Sequence, residues 1–159
     1  METKTIIETL KKCELFNHLN EGELLSLAKM GKVEEYDIGD ELFRQGDVGL
    51  KLYVLSKGHI SLNRKVSVEK DRKGIVSVYE ARERPYRRLL GGWSTLVGEQ
   101  HVQMCTARCN SPSTVISIPT EDLRIFFERD LELRVKILEK LVLLLGDRLA
   151  SSYAAMETL

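Results

Sequence analysis

Between Lys32 and His59 four glycines, Gly39, Gly46, Gly49 and Gly58, cut the chain into short runs: "KVEEYDIGD", "ELFRQGDVG", "KLYVLSKG" and "HISLNRKV". Each run is too short for an amphipathic helix and is enriched in β-branched and aromatic residues, so the segment must fold as brief strands joined by tight turns. The runs "IVSVYEA", "MCTARC" and "TVISIP" continue the pattern, and strands at this spacing predict an antiparallel sandwich or rolled barrel. Within it, "KVSVEKDRKGIVSVYEARERPYRR" predicts a long hairpin turning near Lys73 and Gly74. Arg82, Arg84, Arg87 and Arg88 crowd its descending side, either as an anion patch or as a charged flank balanced by Glu80 and Glu83.

Helices bracket this region. Thr5 to Leu19 carries a broken apolar face of Ile6, Ile7, Leu10, Leu15 and Phe16. A second helix begins at Asn20, with Glu23 three residues on as in a capping box; Leu24, Leu25, Leu27 and Ala28 supply its stripe, and Gly31 follows its end. After Pro119, Thr120 is positioned to cap a short helix, with Glu121 and Asp122 in its first turn. A long helix then runs from about Leu131 to Ala155, with Asp130 as its cap. Leu131, Val135, Leu138, Val142, Leu145, Leu149 and Ser152 recur at alternating steps of four and three, a heptad seam that predicts a parallel homodimer. Ile137, Leu141 and Leu144 form a second stripe, which would pack the same helix on its own barrel.

Charge narrows the partners. Lys and Arg number 24 and Asp and Glu number 24, without the basic surplus that phosphate-backbone binding needs. No apolar run approaches the roughly 20 residues of a membrane span, and the first residues lack the apolar core of a secretion signal, so a cytoplasmic protein is expected. The cysteines, Cys13, Cys105 and Cys109, make no CxxC pair or zinc-ligand spacing. Cys105 and Cys109 share one predicted strand and so lie about 13 Å apart, which disfavours a disulfide.

The order of elements and the glycine spacing resemble the cyclic nucleotide-binding domain family, the sensor module of catabolite activator proteins, kinase regulatory subunits and nucleotide-gated channels. Leu15, Phe16, Leu19, Gly39, Asp40, Leu42, Gln45, Gly46, Asp47, Tyr53, Val54, Leu55 and Gly58 carry the resemblance. They match the family's "G-D-x-(I/L)-(F/I)-x-(E/Q)-G-D" and "(Y/F)-(I/V)-(I/L)-x-x-G". The resemblance implies a mostly β fold with flanking α-helices: a double-stranded β-helix, or jelly-roll-like, barrel of the cyclic nucleotide-binding type. It implies one unit over 1–159, with N-terminal helices in 1–31, the barrel in 32–119 and C-terminal helices in 120–159, the last serving dimerisation. Family transcription factors carry a winged helix after the long helix; this chain ends at Leu159, so no direct DNA binding is expected.

In that family the ligand is held by a phosphate-binding cassette, typically Phe-Gly-Glu and, later, an arginine. Here "LGGWSTL" and "QMCTARC" occupy the two parts, so Leu90 and Gly91 match Phe-Gly. Gly92 stands where glutamate holds the ribose hydroxyl, and Gln103 where arginine pairs with the cyclic phosphate. Arg108 does not slide into that place, because Ile116 and Ile118 fix the following strand's register. Charge-assisted hydrogen bonds contribute about 1.5 to 3 kcal/mol each, so losing two weakens binding by roughly 3 to 6 kcal/mol, on the order of 10² to 10⁴ in affinity. The binding residues implied are Gly91, Gly92, Trp93, Ser94, Thr95, Gln103, Met104 and Cys105. Backbone N–H groups from Gly92 to Leu96 and the neutral donors Ser94, Thr95 and Gln103 would meet an anion. Trp93 either stacks on a base or plugs the cavity.

Two functions fit: a non-catalytic, dimeric sensor or regulatory module whose ligand is a weakly bound or altered cyclic nucleotide or another small anion, or a ligand-independent dimerisation or protein-interaction module. No cofactor is expected. An enzyme of the related cupin type needs clustered metal ligands, whereas His18, His59 and His101 stand apart, and no cysteine cluster exists for a metal-bearing sensor.

Overall fold

The computed structural model describes residues 2–67, 72–80 and 88–157, with the backbone alone at 66–67 and 72–80. Helix α1 (Glu2–Lys11) buries Ile6 and Leu10, and α2 (Glu21–Ala28) buries Leu24, Leu27 and Ala28. The capping box forms as the sequence requires: the Glu23 N–H donates to Asn20 Oδ1 at 2.9 Å, and the Asn20 N–H donates to Glu23 Oε1 at 3.0 Å. The first helix is shorter than its apolar pattern predicts. It ends at Lys11, and residues 12–18 pass through turns that drop Cys13, Leu15 and Phe16 into the core.

The strands are β1 (Lys32–Tyr36), β2 (Glu41–Phe43), β3 (Lys51–Lys57), β4 (His59–Ser67), β5 (Arg72–Glu80), β6 (Leu89–Gly91), β7 (Thr106–Cys109) and β8 (Ser113–Pro119). They form two four-stranded antiparallel sheets, β1-β8-β3-β6 and β2-β7-β4-β5, stacked as a jelly-roll barrel. The run "LYVL" is apolar without alternation, and "VISI" is so apart from the buried Ser117. Leu52, Val54, Ile116 and Ile118 face a cluster shared with the helices, whereas Tyr53, Leu55 and Val115 face a second cluster between the sheets. A sheet covered on both faces needs apolar residues at consecutive positions.

Several expectations need correction. Lys73 and Gly74 do not form the turn: they lie inside β5, opposite Lys65 and Arg64, and Ser67 pairs with Arg72. The strand β6 is absent from the sequence reading, because three residues ending in glycine carry no periodic signal. Cys105 precedes β7 and so shares no strand with Cys109. Arg82, Arg84 and Arg87 lie outside the described residues; Arg88 is buried and donates from its guanidinium to the carbonyls of Leu55 and Ser56, at 2.8 and 3.1 Å, so it does not join a surface anion patch.

Two helices close the chain, α3 (Thr120–Arg129) and α4 (Leu131–Glu157). Thr120 is the first helical residue rather than the cap; its hydroxyl donates instead to the Leu50 carbonyl at 3.0 Å. Asp130 does cap α4, accepting the Leu133 N–H at 3.0 Å. Leu133, Ile137 and Leu141 bury one stripe of α4 in the helix-side core, and Leu144 adds to it. The heptad seam divides. Leu138 and Leu145 pack partly on the same core, while Leu131, Val135, Val142 and Leu149 stand exposed, at 62, 52, 69 and 53%.

Candidate functional site

The cassette begins where β6 leaves the barrel edge. Gly91 has φ +113°, a left-handed conformation, and an added Cβ would lie 2.5 Å from the Lys51 carbonyl oxygen, so no other residue fits without displacing β3. The next residue turns the chain onto the loop before β3. A Cβ on Gly92 would lie 2.7 Å from the Gly49 carbonyl oxygen, and one on Gly49 would lie 2.7 Å from Gln103 Nε2 and 2.9 Å from both the Gly92 Cα and His101 Cδ2. Two backbones and two side chains therefore meet at one point that only a pair of glycines permits.

Trp93–Val97 follows as a five-residue 3₁₀ turn, closed by Gly98. Leu96 is buried beneath it, and Trp93 packs half-buried on the helix-side core. The second limb, residues 101–103, is stitched to the loop before β3. The Gly49 N–H donates to the His101 carbonyl at 2.7 Å, the Gln103 N–H to the Asp47 carbonyl at 2.8 Å, and the Gly46 N–H to the Gln103 carbonyl at 2.8 Å. This pairing turns His101 and Gln103 inward, where they are 4 and 5% exposed.

A small polar network results. His101 Nδ1 and Ser94 Oγ are 2.9 Å apart, Gln103 hydrogen-bonds the imidazole, and the Trp93 ring meets it edge-on with centroids 4.9 Å apart. Burial lowers the His101 pKa below its ordinary value, and the Gln103 hydrogen bond opposes this. Burial thus favours the neutral imidazole over the charged one. The donors expected to meet an anion are partly spent: the Gly92 N–H goes to the Lys51 carbonyl at 2.9 Å, the Thr95 hydroxyl to the Gly92 carbonyl at 2.7 Å, and the Ser94 hydroxyl is engaged with His101.

Of the residues the sequence singles out, Gly91, Gly92, Trp93, Ser94, Thr95 and Gln103 gather along this one fold of chain. Met104 and Cys105 are not buried with them: Met104 is 54% exposed and Cys105 half-buried. Two members escaped the sequence reading. His101 stands in the sequence as an isolated histidine, although its place two residues before Gln103 puts both on one face of an extended segment. Glu14, buried in "KKCELFN", accepts the N–H groups of Arg88 and Leu89, at 3.0 and 2.6 Å, and so anchors the strand that leads into the cassette. Arg148 of α4 stands 3.8 Å from the same carboxylate and donates to the Leu89 carbonyl at 2.9 Å. A lone charge amid apolar neighbours was the only available signal. Among the described residues no three His, Cys, Asp or Glu side chains converge as metal ligands.

No protein-family model and no curated protein matches the sequence. Solved structures match the fold. A cyclic nucleotide-binding domain from Methylobacillus flagellatus superposes with TM-score 0.77 at 17% identity, over 98% of this chain and 83% of that one. The N-terminal domain of a transcriptional regulator from Streptomyces coelicolor gives 0.70 at 23% identity, over 93 and 94%. A mutant regulatory subunit of a cAMP-independent protein kinase A from Trypanosoma brucei, bound to cAMP, gives 0.66 at 17% identity over 87% of this chain but only 46% of that subunit. This chain has the cyclic nucleotide-binding fold.

Proposed function

We propose that this chain, built on the cyclic nucleotide-binding fold, is a non-catalytic regulatory module that works through self-association of α4, with a cassette closed by its own residues rather than charged for a cyclic phosphate. One observation carries the proposal: Gly92, which the resemblance sets at the family's glutamate, is pressed against the Gly49 backbone, and Gln103, which it sets at the arginine, is a buried glutamine engaged with His101. Neither place offers an ion pair to a nucleotide. The output surface is the apolar row on α4, where Val135, Val142, Leu149 and Met156 recur every seventh residue and are all more than half exposed. The test is calorimetric titration with cyclic AMP and cyclic GMP. No heat at millimolar concentration is expected; micromolar binding of either would sink this reading.

A second reading is favoured by the buried pair His101 and Gln103 and the half-buried Ser94 beside them. Polar groups facing the ligand side of such a fold suit a sensor of a different small anion, reached when Trp93 swings away. Thermal stabilisation by one member of a nucleotide and carboxylate panel, lost on Ser94→Ala and Gln103→Ala, would support it over the ligand-free reading.

A further inference from the structure

The sheet β2-β7-β4-β5 has two unlike faces. Inward, Leu42, Ile60, Ala107 and Cys109 join the core between the sheets. Outward lies an open groove of about 1050 Å³. Its floor is a hydrogen-bonded polar row: Asn63 Nδ2 donates to Ser61 Oγ at 3.0 Å, Ser61 Oγ to Asn110 Oδ1 at 3.4 Å, and Asn110 Nδ2 stands 2.9 Å from His59 Nδ1. These side chains are held in place by one another and by β4, so the floor is formed in advance of any ligand.

The walls are cationic. Among the described residues, Arg44, Arg64, Lys65 and Arg108 line the groove against one carboxylate, Glu41, on a chain whose formal charges cancel. Strand register sets Glu41, Arg108 and Ser61 side by side across β2, β7 and β4, so Arg108 rises from the centre of the sheet. Arg44 Nε already engages Glu41 at 3.2 Å, and the Arg64 guanidinium donates to the Met104 carbonyl, which holds it at the groove's edge. Among the described residues the Arg108 guanidinium makes no ion pair or hydrogen bond, although Glu41 stands opposite it in the register. Guanidinium groups present planar forks of donors that match phosphate oxygens two at a time, and like charges gathered in one concavity favour an anion of more than one charge.

We propose that this outer groove, bounded by Arg44, Arg64 and Arg108 over the Ser61–Asn63–Asn110 floor, binds a small organic polyphosphate, its phosphates on the arginines and its hydroxyl-bearing body on the polar row. The groove opens on the outer face of β2-β7-β4-β5, with Arg108 rising from its centre, and abuts the second limb of the cassette where Arg64 donates to the Met104 carbonyl. The size suits one drug-sized ligand.

The experiment is isothermal titration of the full chain, at about 0.15 M salt, with ATP, inorganic tripolyphosphate and orthophosphate. ATP should bind, with tripolyphosphate weaker and orthophosphate weaker still. Arg108→Ala and Arg64→Ala should each weaken ATP by about tenfold or more, with Arg108→Lys intermediate. Glu41→Gln should tighten it, an effect that simple unfolding cannot imitate. Arg134→Ala on α4 should change nothing. Absence of binding at millimolar ATP, or ATP binding indifferent to Arg108, as from the cassette, overturns the proposal. Tripolyphosphate equal to or tighter than ATP removes the organic body from it, and a glutamate-rich peptide that binds more tightly than ATP replaces it with a protein partner.

Discussion

At the scale of single residues, the contact of Gly92 with Gly49 decides what the cassette can become. Reinstating the family's glutamate by Gly92→Glu would drive a Cβ to 2.7 Å from a backbone oxygen that has no soft side chain to yield. Overpacking of this kind costs about 1 to 3 kcal/mol, so the variant should melt lower than the wild type, and even paired with Gln103→Arg it should not gain cyclic AMP affinity. A tight-binding double variant would show that the glycine contact is not the obstacle. His101 gives a pH test. Its folded pKa lies below the ordinary 6.5 because it is buried, so the unfolded chain binds the proton first as pH falls. Stability therefore rises with pH across the window between the folded value and 6.5, and is lost as pH drops through it. Replacing His101 with Gln should flatten that part of the acid limb in denaturant titrations; an unchanged slope would show that the imidazole is not held neutral by the fold.

At the scale of elements, the short strand β6 has, among the described residues, a hydrogen-bonded strand neighbour on one side, and Glu14 supplies part of what the other side lacks. Its carboxylate takes two buried N–H groups and lies beside Arg148, so the N-terminal turn, the cassette strand and α4 meet at one charge. Glu14→Ala would orphan both donors, at about 1 to 3 kcal/mol each, and should lower the melting temperature by roughly 5 to 15 °C. Glu14→Gln retains an acceptor oxygen and should recover part of the loss. Equal melting of both variants and the wild type would remove Glu14 as an anchor. The helices behaved more simply. The Asn20 box and the Asp130 cap were legible in the sequence because capping is local, whereas the end of α1 at Lys11 was not, since burial of Leu15 and Phe16 from a turn leaves the same apolar spacing as a continued helix.

At the scale of the whole molecule, α4 is the element with two faces to cover. Leu133, Ile137 and Leu141 satisfy one against the barrel, and the exposed row through Val142 needs a second surface. Light scattering should give twice 18.1 kDa, and Val142→Asp should give the single-chain mass without loss of helicity. A wild-type monomer would end the self-association reading. The barrel itself was written plainly in the sequence: glycines at fixed intervals, period-two strands and two runs apolar on both faces admit few other architectures, because turn geometry and strand periodicity are set by neighbours along the chain. Gly92 and Gln103, at the two places where the family resemblance sets charged residues, were equally legible, since residue identity needs no coordinates. What only the tertiary structure decided is what fills their places. Gly49 meeting Gly92, His101 joining Ser94 and Gln103, Glu14 reaching the start of β6, and four cations lining one groove are all contacts between distant segments. Local propensity carries no information about such distances; they follow from strand register and sheet stacking, and these exist only once the chain has closed on itself.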